Sequence, residues 1–325
     1  MGEEITPKVS IILPVYNAGK YLYSCLDTLI NQTLQELEII CILDCPTDGS
    51  DKIVEEYAKK DSRIIVIKNE QNLHIGESRN VGIRAAHGEY IGFSDHDDTH
   101  ELNMYESLYA ASNNGQKDVV LSGKFIIDTG IQLNTPLLIE TCLRNILNRT
   151  STAHITPHIF KKTLIVSNHI QLIDTKKYPG EDIVFFTDIL CHLDNDEQIS
   201  LVPQIFYHHR ETGFNTADSA NYTSLYKIPL LVHHLYKLID LSPYHNMMYD
   251  ELWTFLILTS YTPFINLVRK KGVFHAIKEE KSAISDDKIY YEIANRCSDT
   301  EKRLTIPKSI FAFWLKHILK TQKTI

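Results

Sequence analysis

Along the first 123 residues, short apolar runs alternate with amphipathic stretches at regular intervals. Val9 to Pro14 (VSIILP), Leu37 to Leu43 (LEIICIL) and Ile64 to Ile67 (IIVI) are continuous apolar runs, the pattern of strands covered on both faces. Tyr90 to Ser94 and Asp118 to Leu121 read as a fourth and a fifth strand. Between them, Leu22, Cys25, Leu26 and Leu29 fall on one helical face within Tyr21 to Ile30. Further helices are predicted through Tyr57, where Asp48 or Ser50 can cap, from Gly76 to Ala86, and from Met104 to Ala111. Strands and helices joined by short loops predict an α/β domain, a mainly parallel sheet with helices on both faces.

Beyond Ile131 the pattern loosens. Tyr178-Pro179-Gly180-Glu181-Asp182 reads as a turn opening a helix, and Ile199 to Tyr207 (ISLVPQIFY) as a strand. From Tyr222 onward helical patterns dominate, so the chain is divided into a domain over 1–215 and a helical region over 216–325. Leu252 to Val268 is the most apolar later stretch. Thr254, Thr259, Ser260, Thr262, Pro263 and Asn266 interrupt it, and a membrane span needs about 20 mostly apolar residues. It therefore reads as a core helix or helix pair. With no charged-then-apolar leader in its polar first eight residues, the chain is expected in the cytoplasm.

A net charge of −8 among 325 residues argues against a nucleic-acid partner but leaves a small anionic substrate open. Six cysteines without a C-x-x-C pair read as reduced thiols; Cys41 and Cys45 are near each other, but nothing supplies the second half of a zinc site.

In a parallel sheet, ligands sit beyond the carboxyl ends of the strands. Those ends carry Pro14-Val15-Tyr16-Asn17, Asp44-Cys45-Pro46-Thr47-Asp48 and Asp95-His96-Asp97-Asp98. Three acidic residues within four positions repel one another unless a cation joins them, and carboxylate oxygens suit Mn²⁺ or Mg²⁺ shared with a diphosphate. A solvated acidic turn is the competing reading.

These residues, in this order, resemble the family 2 glycosyltransferases, which have a GT-A, Rossmann-like fold. The resemblance rests on Val9 to Asn17, Tyr21-Leu22, Gln32-Thr33, Glu38 to Ile40, Asp44, Thr47-Asp48, Ser78 to Gly82, Ala86, Gly88 to Ile91 and Asp95 to Asp98. It implies an inverting, metal-dependent transfer from a nucleotide-sugar donor, a UDP-sugar being favoured, to a saccharide or lipid-linked acceptor in polysaccharide biosynthesis. Pro14, Val15, Tyr16 and Asn17 would line the nucleotide pocket, and Asp44 would accept a hydrogen bond from the base. Asp95 and His96 would lie near the ribose or metal, and Asp97 would ligate the metal directly. Arg79 would pair with a carboxylate of this cluster or a donor phosphate.

Asp182 would be the general base, with Glu181 in reserve; capping of the helix by these acids is the alternative. Tyr207-His208-His209-Arg210 looks like the aromatic-histidine stretch of relatives, which makes His208 a further metal or diphosphate contact and Arg210 a phosphate contact. Departures are Leu43 where the family commonly has the first of two adjacent aspartates, Cys45-Pro46 in place of the small pair that follows them, and His74 where glycine is common. Lys302 to Ile325 has six basic residues and no acid, with Ile310, Phe311, Trp314, Leu315 and Ile318 on one helical face. It could rest on an anionic membrane or dock on the protein. A sugar-nucleotide pyrophosphorylase and an inactive binding subunit are the rival functions; the first lacks its Gly-rich loop after the first strand.

Overall fold

The computed structural model describes residues 6–123, 137–150, 153–210 and 227–284, with 292, 293 and 296. The division expected at 216 and the basic segment 302–325 lie outside the described residues. The chain forms two compact units: one of residues up to 142 with 151–175 and 181–212, the other of 143–150, 176–180 and 213–325.

The first unit is built on a seven-stranded sheet in the order β3-β2-β1-β4-β7-β6-β8. Its strands are β1 (Val9–Val15), β2 (Leu37–Leu43), β3 (Ile64–Lys68), β4 (Tyr90–Phe93), β6 (Val119–Ser122), β7 (Ile159–Lys161) and β8 (Ile199–Val202). β3, β2, β1 and β4 are mutually parallel; β7 enters antiparallel to both β4 and β6, and β8 runs parallel to β6. The mainly parallel sheet is as expected. β7 is new: three residues at the end of a polar stretch leave no periodicity to read. The run Ile199 to Tyr207 is two strands, because Pro203 cannot continue a ladder. Its first part is β8, and its end is β9 (Tyr207–His208), which pairs with β5 (Thr99–His100) in a separate two-stranded sheet.

Pro14 sits inside β1 without disturbing it. Ile12 accepts from Ser94 on the β4 side, so Pro14, two residues on, faces the same side. Pairing with β4 ends at Ile12↔Phe93, and no ladder bond is lost.

The helices of this unit are α1 (Tyr21–Ile30), α2 (Ser50–Lys60), α3 (His74–Ala85), α4 (Met104–Ala111), α6 (Lys162–Ser167) and α7 (Glu181–Cys191); α5 (Ile139–Leu147) lies between α4 and α6 in the chain. The cap of α2 is Gly49, at φ 91, while Asp48 accepts from the Ser50 N–H and hydroxyl. α3 lies close on the sheet: a Cβ on Gly82 would come within 2.5 Å of the Ile12 side chain. α7 is fixed by aromatic edges, Phe185 meeting Phe93 at 5.5 Å and Phe160 at 5.7 Å between centroids.

The described residues of the second unit include the helices α8 (Ile228–Asp240), α9 (Tyr249–Lys271) and α10 (Val273–Ile284). Leu231, Leu235, Ile239, Leu252, Trp253 and Phe255 are buried in it. The apolar stretch with Pro263 is a single helix, α9, and no described helix is long and apolar enough to cross a membrane. His234 packs edge-on against Tyr178 with ring centroids 4.7 Å apart.

Candidate active site

The loops after β1 and β2 are stitched together. Asn17, in the left-handed region at φ 49, accepts from the Thr47 N–H at 2.8 Å; Gly19 N–H donates to Asp48 at 2.8 Å. Pro14 and Val15 are buried in β1, so Tyr16 and Asn17 are the exposed residues of that loop. Asp44 is buried and closes the loop between β3 and α3. It accepts from Asn69 Nδ2 at 2.8 Å, from Leu73 N–H at 2.7 Å and from His74 N–H at 2.9 Å. His74 is exposed and has φ 64, a conformation that glycine adopts without strain, so the position suits glycine and nothing in the structure explains the histidine. Cys45 Sγ donates to Asn69 O and Cys41 is buried in β2, so the two form no metal pair; among the described residues no cysteine is in a disulfide.

The four residues after Ser94 divide sharply. Asp98 is buried, with Tyr207 Oη at 2.8 Å, His209 Nδ1 at 3.0 Å and the Arg210 N–H at 2.8 Å. Burial alone would raise its pKa; these hydrogen bonds outweigh it and hold the carboxyl below its usual range. Asp97 is half-buried and has no such support. The His96 ring stands beside it, Nδ1 4.0 Å away, and burial first, then Asp98 and Asp95, raise the pKa of Asp97. Asp95 takes Arg79 Nη2 at 2.9 Å, and its N–H donates to Tyr207 Oη at 3.0 Å.

Arg79 is buried on the sheet-facing side of α3, three residues before Gly82. Its guanidinium spans two loops: Nη2 reaches Asp95, Nη1 reaches Asp182 at 2.6 Å, and Glu181 lies at 3.6 Å. Asp182 occupies the first turn of α7, three residues before Phe185, so the aromatic packing of α7 sets where this carboxylate stands. Burial pushes its pKa up; Arg79 pulls it down, but Glu181 and Asp95 add to the rise, and it reaches about 7.

His208 stands apart. On β9 it alternates with Tyr207 and His209, and its exposed ring meets Glu101 at 2.8 Å rather than the acidic loop. The residues of this stretch that reach the loop are Tyr207, His209 and Arg210, whose Nε donates to Asp97 O at 3.0 Å. The sequence pattern marked the stretch but not its facing; strand alternation from Tyr207 would have supplied it.

Among the described residues, no group of three or more His, Cys, Asp or Glu side chains is arranged as a metal cage. Asp97 does fit a shared cation. A half-buried carboxylate that forms no ion pair with Lys or Arg among the described residues suits Mg²⁺ or Mn²⁺, which take one or two carboxylates and complete their shell with water and phosphate oxygens.

The family model for glycosyl transferase family 2 matches residues 10–178, just over half of the chain. The chain belongs to that family. Among relatives of this glycosyltransferase family, an uncharacterized glycosyltransferase, EpsJ, from Bacillus subtilis is 44% identical over 36% of the chain and 34% of its own length. Glycosyltransferase GlyG from Streptococcus pneumoniae is 37% identical over 37% of the chain and 40% of its own length. The chain thus spans well under half of the length of these relatives. A structure of S. aureus TarS 1–349 in complex with UDP-GlcNAc shares the fold, with TM-score 0.69, 22% identity, and coverage of 89% of this chain and 81% of that one. The α/β architecture is the GT-A fold expected from the resemblance.

Proposed function

We propose that the chain transfers a sugar, with inversion, from a nucleoside-diphosphate sugar to a hydroxyl of a saccharide or lipid-linked acceptor in making cell-surface polysaccharide. The observation that carries this reading is the buried Arg79 bridge. It joins a carboxylate at the end of β4, where a donor would lie, to one at the start of α7, where an acceptor would approach. Residues 1–215 would be the catalytic domain and 216–325 its helical partner. The chain would work in the cytoplasm, with 302–325 as its contact with the inner face of the membrane.

A UDP-sugar is favoured, because the TarS structures with UDP-GlcNAc and with UDP align at TM-scores 0.69 and 0.63. A mannosyltransferase from Pyrobaculum calidifontis, solved with GDP-Man and Mn²⁺, aligns at 0.55. Tyr16 and Asn17 would border the nucleoside, with Asp44 shaping the loop that faces the base. Asp97, with Asp95 and His96 beside it, would hold Mn²⁺ or Mg²⁺, which when bound neutralises charge on the leaving diphosphate. Arg210 stands as the outer contact of this loop, while His208, turned to Glu101, would act only on a phosphate that extends beyond it.

Asp182 would take the proton of the acceptor hydroxyl as that oxygen attacks the anomeric carbon, opposite the diphosphate. A carboxylate raised to about 7 is poised for this, since it accepts a proton readily and is still ionised in a useful fraction near neutrality. Glu181 helps to set that value by its charge. Donor and acceptor held in line lower the barrier further.

Thermal shift with UDP or GDP in Mn²⁺, followed by a nucleotide-sugar panel scored for nucleoside diphosphate release, tests the reading. UDP should raise the melting temperature in wild type and not in Asp97→Ala. If neither nucleotide shifts melting, or Asp97→Ala responds like wild type, the donor site is wrong. Binding without release on any donor would favour an inactive binding subunit.

A further inference from the structure

We propose that Tyr207, acting with Asp98, is a positioning residue for the acidic loop, the pin that leaves Asp97 aimed at a divalent cation. The inference rests on the reading that this loop takes a metal-bound nucleotide.

The loop is gripped along its length by one stretch of chain more than 100 residues away. The Tyr207 hydroxyl uses both its capacities: it accepts the Asp95 N–H at 3.0 Å and donates to Asp98 Oδ2 at 2.8 Å. Arg210 grips the other end, its N–H on Asp98 Oδ1 at 2.8 Å and its Nε on Asp97 O at 3.0 Å. From α1, Cys25 Sγ donates to Asp95 O at 3.4 Å.

Tyr207 itself has little freedom. Its ring is buried and stands edge-on to His100 at 4.9 Å, and the β5–β9 pairing fixes its backbone. The backbone at Asp95 and Asp97 and the side chain of Asp98 are therefore all fixed. The Asp97 carboxylate makes no side-chain hydrogen bond among the described residues, and His96 Nδ1 stands 4.0 Å from it. A ligand carboxylate on a held backbone is prepared for its metal before the metal arrives. Outer partners of this kind tune metal affinity without touching the metal.

The test uses the full chain carrying Tyr207→Phe, which removes one oxygen and keeps the buried ring. Free Mn²⁺ is followed by electron paramagnetic resonance in the presence of UDP, and UDP binding by calorimetry with Mn²⁺ or with EDTA. Loss of an outer partner should weaken Mn²⁺ binding by about 10-fold or more. UDP affinity in EDTA should match wild type, and turnover at saturating Mn²⁺ and donor should stay within about threefold.

Should Tyr207→Phe melt below the assay temperature, Asp98→Asn offers a second route, with the same loss of Mn²⁺ affinity expected. The double variant should be no weaker than the worse single one, because both break one network. Mn²⁺ affinity within about twofold of wild type in a folded variant overturns the proposal, as does an equal loss of UDP affinity in EDTA. Failure of the wild type to bind UDP with Mn²⁺ would instead overturn the donor-site reading itself.

Discussion

The two edges of the candidate site treat their carboxylates in opposite ways. On the donor side, Asp44 and Asp98 are buried and each accepts from three donors, two of Asp44's and one of Asp98's being backbone N–H groups. They are fixed parts of the frame. On the edge proposed for the acceptor, Asp182 shares one guanidinium with Asp95 and Glu181, and its pKa is raised to about 7. The difference separates holding from reacting. A carboxylate saturated with donors shapes a loop, whereas a partly buried one among like charges can exchange a proton near neutral pH.

The strongest way to break this contrast is Asp182→Asn, which keeps the shape and removes the base. Loss of a general base should lower turnover by about 10²–10⁴-fold. UDP affinity should hold, since the donor edge is untouched. The wild-type rate should also carry the signature of the group. The base works deprotonated, so below its pKa of about 7 turnover should fall as pH falls, and above it the rate should level off. A rate flat from pH 5.5 to 8.5 would remove Asp182 from the role.

A smaller effect is expected from Asp44→Ala, which tests the frame. Three donors lose their acceptor at a buried position, and hydrogen bonds to a charged group contribute about 1.5–3 kcal/mol each, part of which water entering the space recovers. Destabilisation of about 2–4 kcal/mol in denaturant unfolding is expected, together with weaker UDP binding as the loop before α3 loosens. Stability within 0.5 kcal/mol of wild type, on the scale of about ±0.5 kcal/mol typical of surface changes, would show Asp44 to be free for the base instead.

The donor edge was the legible one because its parts lie close together in sequence. VSIILP, LEIICIL and the acidic run after β4 each announce a buried strand ending in chemistry, and parallel sheets place such ends together. The site's long-range pairings left weaker traces. β7 is three residues long, and the proline between β8 and β9 hides a change of sheet. Asp98 read as one more acid in a turn; only its contact with Tyr207 and His209, more than 100 positions on, shows that it is buried frame. His208 and His209 are indistinguishable by composition, and one residue of strand register decides which meets the loop.

The finest test of the contrast is Glu181→Gln, because it separates the two acids of α7. Both stand in the first turn, and either could cap the helix or act as base. Glu181 Oε1 is 3.6 Å from Arg79 Nη1, while Asp182 Oδ1 is at 2.6 Å, so Asp182 is the closer partner and Glu181 the neighbouring charge. That charge helps to raise the pKa of Asp182. Neutralising it should therefore move the acidic limb of the rate profile toward lower pH, with the plateau rate changed by no more than about threefold. At pH 6 the variant should then be as fast as wild type or faster. A base removed outright would do the reverse, lowering the plateau by about 10²-fold or more, and that outcome would transfer the role from Asp182 to Glu181.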